Sequence, residues 1–180
     1  MRNIIILTLI LLSLNINAQN PPIVRDNQTP IIQPIKLSGP RVGVIGVMQA
    51  DYTILYEMSN YFSQDNPIHP ILSTFGWQFE TQFFSAPDGT AGLIEFIPLI
   101  SGFEQGLFIP SINMIFGLRS KDGMEIGFGP GISILGTGII AAAGYNFRSD
   151  YLNIPINIAY VNGRETQRLV LTVGFNLRRI

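Results

Sequence analysis

The stretch Met124–Ile134, MEIGFGPGISI, alternates without a break. Met124, Ile126, Phe128, Pro130, Ile132 and Ile134 are large and apolar. Glu125, Gly127, Gly129, Gly131 and Ser133 fall between them. A period of two is the period of a β-strand, whose successive side chains point to opposite faces. One face of this strand is apolar and the other is almost bare backbone. In a soluble barrel the apolar face fills the inside and the other face meets water, and a row of glycines makes a poor water-facing surface.

Similar segments flank it. Reading outward gives strands over Arg41–Met48, Leu72–Ser85, Thr90–Ser101, Leu107–Ser120, Met124–Leu135, Gly138–Arg148, Tyr151–Val161 and Gln167–Arg178. The turns between them carry Asp-Gly and Asn-Gly signals in APDG, KDG and NGRET. Residues 49–71 form the one long connection. Within it Asp51–Phe62 has helical spacing, with Tyr52, Leu55, Tyr56, Ser59 and Phe62 on one face. The pattern predicts an all-β domain over residues 41–180: a single antiparallel up-and-down barrel of about eight strands, with a short helix in the long connection.

The faces decide what surrounds the barrel. Trp77, Phe79, Phe116, Phe128, Ile156 and Phe175 share the large apolar face. The opposite face holds Gly, Asn and Ala, with Glu80, Glu95, Arg119, Glu125, Arg148 and Arg178. A solvent face would be rich in Lys, Glu and Thr. An eight-stranded barrel has interior room only for side chains, and small inner residues suit that crowding. Strands of ten to thirteen residues match the roughly 9–11 needed for a tilted bilayer crossing. The expectation is a membrane barrel with lipid against the apolar face. A soluble periplasmic barrel holding a small apolar ligand is the rival.

Composition agrees. Charged residues make up 13% of the chain, against about 25% in soluble domains. The net charge is −1, with only two lysines, Lys36 and Lys121, and no basic run, which argues against nucleic-acid binding. Residues 1–18, MRNIIILTLILLSLNINA, read as a cleaved signal peptide: Arg2, then an apolar run too short to span a bilayer, then a small-residue end. No Cys follows for lipid attachment or disulfides. Residues 19–40 hold Pro21, Pro22, Pro30, Pro34 and Pro40 and read as a Pro-rich tail or linker.

Hairpin chemistry fixes expected registers. KDG suits a three-residue turn with Gly123 left-handed, which sets Arg119 opposite Glu125. If APDG is a four-residue loop with Ser85 opposite Thr90, then Glu80 faces Glu95. Two carboxylates so placed repel unless an inward arginine, a cation or a retained proton answers them. A turn about Glu104 puts Pro98 opposite Pro110. Pro130 is mid-strand, where a missing N–H predicts a bulge.

Catalytic chemistry is sparse. His69, the single histidine, lies in NPIHP, where it reads as a loop residue. A base for Ser63, Ser73 or Ser101 near the same rim is the alternative, though no motif joins them. No metal or cofactor site is indicated, because a metal wants several His or Cys ligands. Arg119, Arg148 and Arg178 would gather at the rim where strands return, either as interior ion pairs or as a charged gate.

The last segment, RLVLTVGFNLRRI (Arg168–Ile180), resembles the C-terminal strand of Gram-negative outer-membrane β-barrel proteins. The matching positions are Leu169, Leu171, Val173, Phe175 and Leu177. The usual terminal aromatic is replaced by Arg178, Arg179 and Ile180. GWQFE, FEQGLFIPS and LNIPINIA are similar to segments of small exported proteins of the Bacteroidota type. The resemblance implies a cell outer-membrane location and delivery by the barrel-assembly machinery; it implies no activity. The expected role is structural, adhesive or partner-binding, with residues 49–71 as contact surface. A lipid- or lipopolysaccharide-modifying enzyme is the alternative.

Overall fold

The alternating segments become strands in the computed structural model: β1 (Lys36–Ala50), β2 (Ile71–Ser85), β3 (Ala91–Ser101), β4 (Ile109–Arg119), β5 (Met124–Ser133), β6 (Gly136–Arg148), β7 (Leu152–Gly163), β8 (Thr166–Gly174) and β9 (Asn176–Leu177). The structure describes residues 36–50, Tyr56, Asn60, 68–148 and 152–177, all within the unit Gln33–Ile180. The helix expected over Asp51–Phe62 lies, apart from Tyr56 and Asn60, outside the described residues.

From β1 to β8 each strand pairs antiparallel with the next, and β1 pairs with both β2 and β8. The sheet therefore closes on itself. β8 and β9 are two pieces of one stave, since both meet β7 at the same offset, Ile156 opposite Val173 and Leu152 opposite Leu177. The result is a closed eight-stranded up-and-down barrel. Closure leaves no unpaired sheet edge.

The glycine face of Met124–Ile134 looks inward. Glu125, Gly129 and Gly131 are buried, while Met124, Ile126, Phe128 and Ile132 are exposed. The strands approach so closely there that side chains are excluded. A Cβ on Gly129 would lie 1.9 Å from the Met114 carbonyl oxygen and 3.1 Å from the Ile115 Cα. Both obstacles are backbone and cannot swing aside. Gly129→Ala is accordingly expected to cost about 1–3 kcal/mol by overpacking, read from denaturant unfolding of the folded barrel in detergent. An unchanged midpoint would mean that β4 and β5 lie farther apart than this.

The prolines correct two expectations. No bulge forms at Pro130: Asn113 faces Gly131 on one side of it and Phe116 faces Phe128 on the other, at one constant offset. The β4–β5 ladder simply lapses over Met114–Ile115 and Gly129–Pro130. The β7 ladder lapses in the same way across from Pro155, between β8 and β9. A residue without an N–H interrupts pairing without shifting it. Pro98 and Pro110 are not opposite each other; Pro98 faces Ile112 and Pro110 faces Ile100. The cause is a 3₁₀ turn at Phe103–Gln105, bounded by Gly102 (φ 88°) and Gly106 (φ 70°), which moves the hairpin's centre.

β1 also begins earlier than expected. Lys36 to Pro40 are paired with β2, so the Pro-rich tail does not reach residue 40. Pro40 is tolerated because the β8 ladder starts only at Arg41.

Inside, three layers are stacked. Ile45, Leu72, Leu107, Ile109 and Leu135 close the end that carries the long connection. Ile115, Ile140 and Val161 fill the middle. Charged residues occupy the layer towards the other end, where the hairpins after β2 and β4 lie.

Candidate functional site

The charged layer is assembled by register. Glu80 on β2 faces Glu95 on β3, and Arg119 on β4 faces Glu125 on β5. Both pairs are those expected, but the first is reached by a different route. Ser85 faces Ala91, not Thr90, and a bulge at Phe83 restores the offset before Glu80. The bulge also turns both Phe83 and Phe84 outward, with ring centroids 5.2 Å apart and nearly edge-on. The KDG turn forms as its residues dictate: Gly123 has φ 96°, and the Ser120 amide donates to the Met124 carbonyl at 2.8 Å.

Arg119 answers the facing carboxylates. Its Nη1 and Nη2 each donate to one Glu80 oxygen at 2.6 Å, and its Nε donates to Glu125. All three side chains are buried. The planar guanidinium is suited to this fork, where lysine would offer only a point charge. The inward arginine is present, but it joins Glu80 to Glu125 and does not reach Glu95. Among the described residues Glu95 has no ion-pair or hydrogen-bond partner, although it is 7% exposed.

Arg41 completes the layer and was not singled out in the sequence. Its Nε donates to Gln78 Oε1 at 3.0 Å, and its Nη1 to the Pro40 carbonyl and to Asn176 Oδ1, both at 2.9 Å. The alternation of Arg41, Gly43 and Ile45 against Val42 and Val44 was the available signal. It is blurred because Ile45 is as apolar as its neighbours. Buried Arg168 was missed for the same reason, lying amid Val161, Leu169 and Val170.

The Arg148 side chain lies outside the described residues; its backbone pairs with Asn153. Arg178 also lies outside the described residues, so Arg119 is the one member of the expected arginine rim whose side chain is described. Trp77, Phe79, Phe116, Phe128, Ile156 and Phe175 all point away from the lumen, from 38% exposed at Ile156 to 68% at Phe128.

The serines near His69 are otherwise engaged. The Ser73 hydroxyl and amide both donate to Glu104, and Ser101 Oγ donates to Thr74 at 2.9 Å. Ser63 lies outside the described residues. His69 Nδ1 accepts from the Ile71 amide at 3.3 Å, while its own amide donates to Gln105 at 2.7 Å. It anchors a loop. Slight burial pushes the Glu104 carboxyl up, but the two Ser73 hydrogen bonds more than offset this and hold it below the ordinary carboxylate value. Of the expected contact residues in 49–71, Tyr56 is exposed, and Tyr52, Tyr61 and Phe62 lie outside the described residues.

No protein-family model matches the sequence, and no match is found among curated proteins or among solved structures. Function is therefore argued from the barrel's own residues.

Proposed function

We propose that this barrel is an integral outer-membrane protein with a structural, adhesive or partner-binding role rather than a pore. One observation carries the reading: polarity is inverted across the wall. Arginine and glutamate face inward, while Val42, Phe75, Trp77, Phe79, Phe116, Phe128, Ile139, Phe147 and Leu171 face outward and exposed all round the barrel. Soluble monomers rarely expose an apolar patch beyond about 300–600 Å². A continuous belt of this kind matches a lipid-facing surface. The interior supports the rest. An apolar layer fills the lumen at one end and the Arg119 bridge crosses it towards the other, which supports a packed interior over a pore. Lipid is the implied surrounding, assembly machinery the implied route, and residues 49–71 the implied contact surface.

Fractionation tests this. The protein is expected in the detergent-extracted outer membrane, migrating faster in gels when unheated than after boiling. Recovery in the periplasmic extract without detergent would favour the soluble ligand-binding barrel instead.

A further inference from the structure

The barrel's two ends are built differently. At one end lie the start of β1 and the close of β9. Lys36 pairs with Thr81 near the end of β2, and Leu177 pairs with Leu152 at the start of β7. The connections at that end, residues 86–90, 120–123 and 149–151, are all short. The opposite end carries both longer connections, 51–70 and 102–108, beside the tight turns 134–135 and 164–165. Side chains hold this second end together. Gln105 accepts from the His69 amide at 2.7 Å and donates to the Ile71 carbonyl at 3.0 Å. Glu104 accepts from the Ser73 amide at 3.0 Å. The 3₁₀ turn thus grips the strand that leaves the long connection, and Leu72, Leu107, Ile109 and Leu135 close the lumen beneath it.

We infer that the end carrying the long connection is the surface presented to the outside of the cell, so that a partner met through it is an extracellular one. The start of β1, the close of β9 and the Arg119 layer then lie on the periplasmic side. The inference rests on the membrane reading above and goes beyond it, because lipid against the outer wall fits either orientation. Entry decides between them. An exported chain meets the outer membrane from its periplasmic face. An even number of strands returns the chain to the side on which it began. With both barrel ends on the entry side, each hairpin crosses with its backbone groups paired. The reverse orientation threads two strand ends through hydrocarbon, where unpaired N–H and C=O groups are costly. Transmembrane barrels accordingly carry short turns on the periplasmic side and longer loops outside. Residues 86–90, 120–123 and 149–151 set against 51–70 and 102–108 show that asymmetry.

The test uses the full chain expressed in cells that have an outer membrane. The sequence has no cysteine, so each one introduced is the sole target of a maleimide carried on a polyethylene glycol too large to cross that membrane. Arg164→Cys and Glu165→Cys place the thiol in the exposed turn after β7; Lys121→Cys and Asp122→Cys place it in the exposed turn after β4. The first two are expected to shift fully in gel mobility when intact cells are treated. The second two are expected to shift only after the outer membrane is permeabilised. Two variants at each end keep the comparison standing if one does not fold, and heat-modifiable migration identifies those that do. The reverse pattern in membrane-embedded protein overturns the orientation and leaves the membrane reading in place. Labelling of all four in intact cells overturns the orientation as well. Labelling of none in intact cells, with the protein recovered in the periplasmic extract without detergent, is the separate failure of the membrane reading and ends this inference with it.

Discussion

Arg119→Met is expected to destabilise the barrel by about 3–5 kcal/mol, the cost of removing one partner from a buried ion pair. The reason lies in what remains. Glu80, Glu95 and Glu125 share one interior layer and are all buried. Arg119 makes three hydrogen bonds to two of them. Without it, three carboxyl groups are left beside Arg41, which is already committed to Gln78, Pro40 and Asn176. Denaturant unfolding of the refolded protein in detergent measures the loss. Adding Glu80→Gln and Glu125→Gln to Arg119→Met should recover much of it, since neutral amides need no counter-charge; the effects of groups in one network do not add. Arg119→Lys should recover little, because an ammonium cannot reproduce the fork to Glu80. A loss below about 1 kcal/mol for Arg119→Met, the range of exposed pairs, would place the guanidinium outside a buried bridge.

Phe128→Arg carries the second large effect, about 2–4 kcal/mol in phospholipid vesicles. Phe128 is 68% exposed and sits at the middle of β5 (Met124–Ser133). On the neighbouring strand β6 the residue opposite it is Ala141, which offers only a methyl group beside the ring. A charge there would lie near the bilayer midplane if the belt faces lipid. Met124→Arg, at the strand's end, should cost only about 0–1 kcal/mol, because the penalty falls towards the interface. Phe128→Leu controls for lost contact area. The difference between positions 128 and 124 is the diagnostic. Equal small costs at both would mean that the outer wall meets water, and the membrane reading would be abandoned.

The period-two pattern was enough to read the barrel, because alternation is a local property: Met124–Ile134 carries it without help from any other part of the chain. Turn chemistry was similarly legible. Lys121-Asp122-Gly123 has few backbone solutions, and the one expected brings Arg119 to Glu125. Where a loop allowed several solutions, local reading failed. Phe103–Gln105 folds into a 3₁₀ turn that shifts Pro98 away from Pro110, and the bulge at Phe83 compensates a loop offset that residues 86–89 do not reveal.

The sequence by itself determined the strands, their two faces and the pairs Glu80–Glu95 and Arg119–Glu125, since each depends on neighbours along the chain or across one hairpin. Only the tertiary structure decided which carboxylates Arg119 holds and that Arg41 reaches Asn176 across the closing seam. It also decided that Glu95 and one nitrogen of Arg41 are left without a partner among the described residues. Those contacts join strands that are distant in sequence or not adjacent in the sheet. They exist because a closed barrel forces eight inward faces to share a space too narrow for every charge to find its nearest partner.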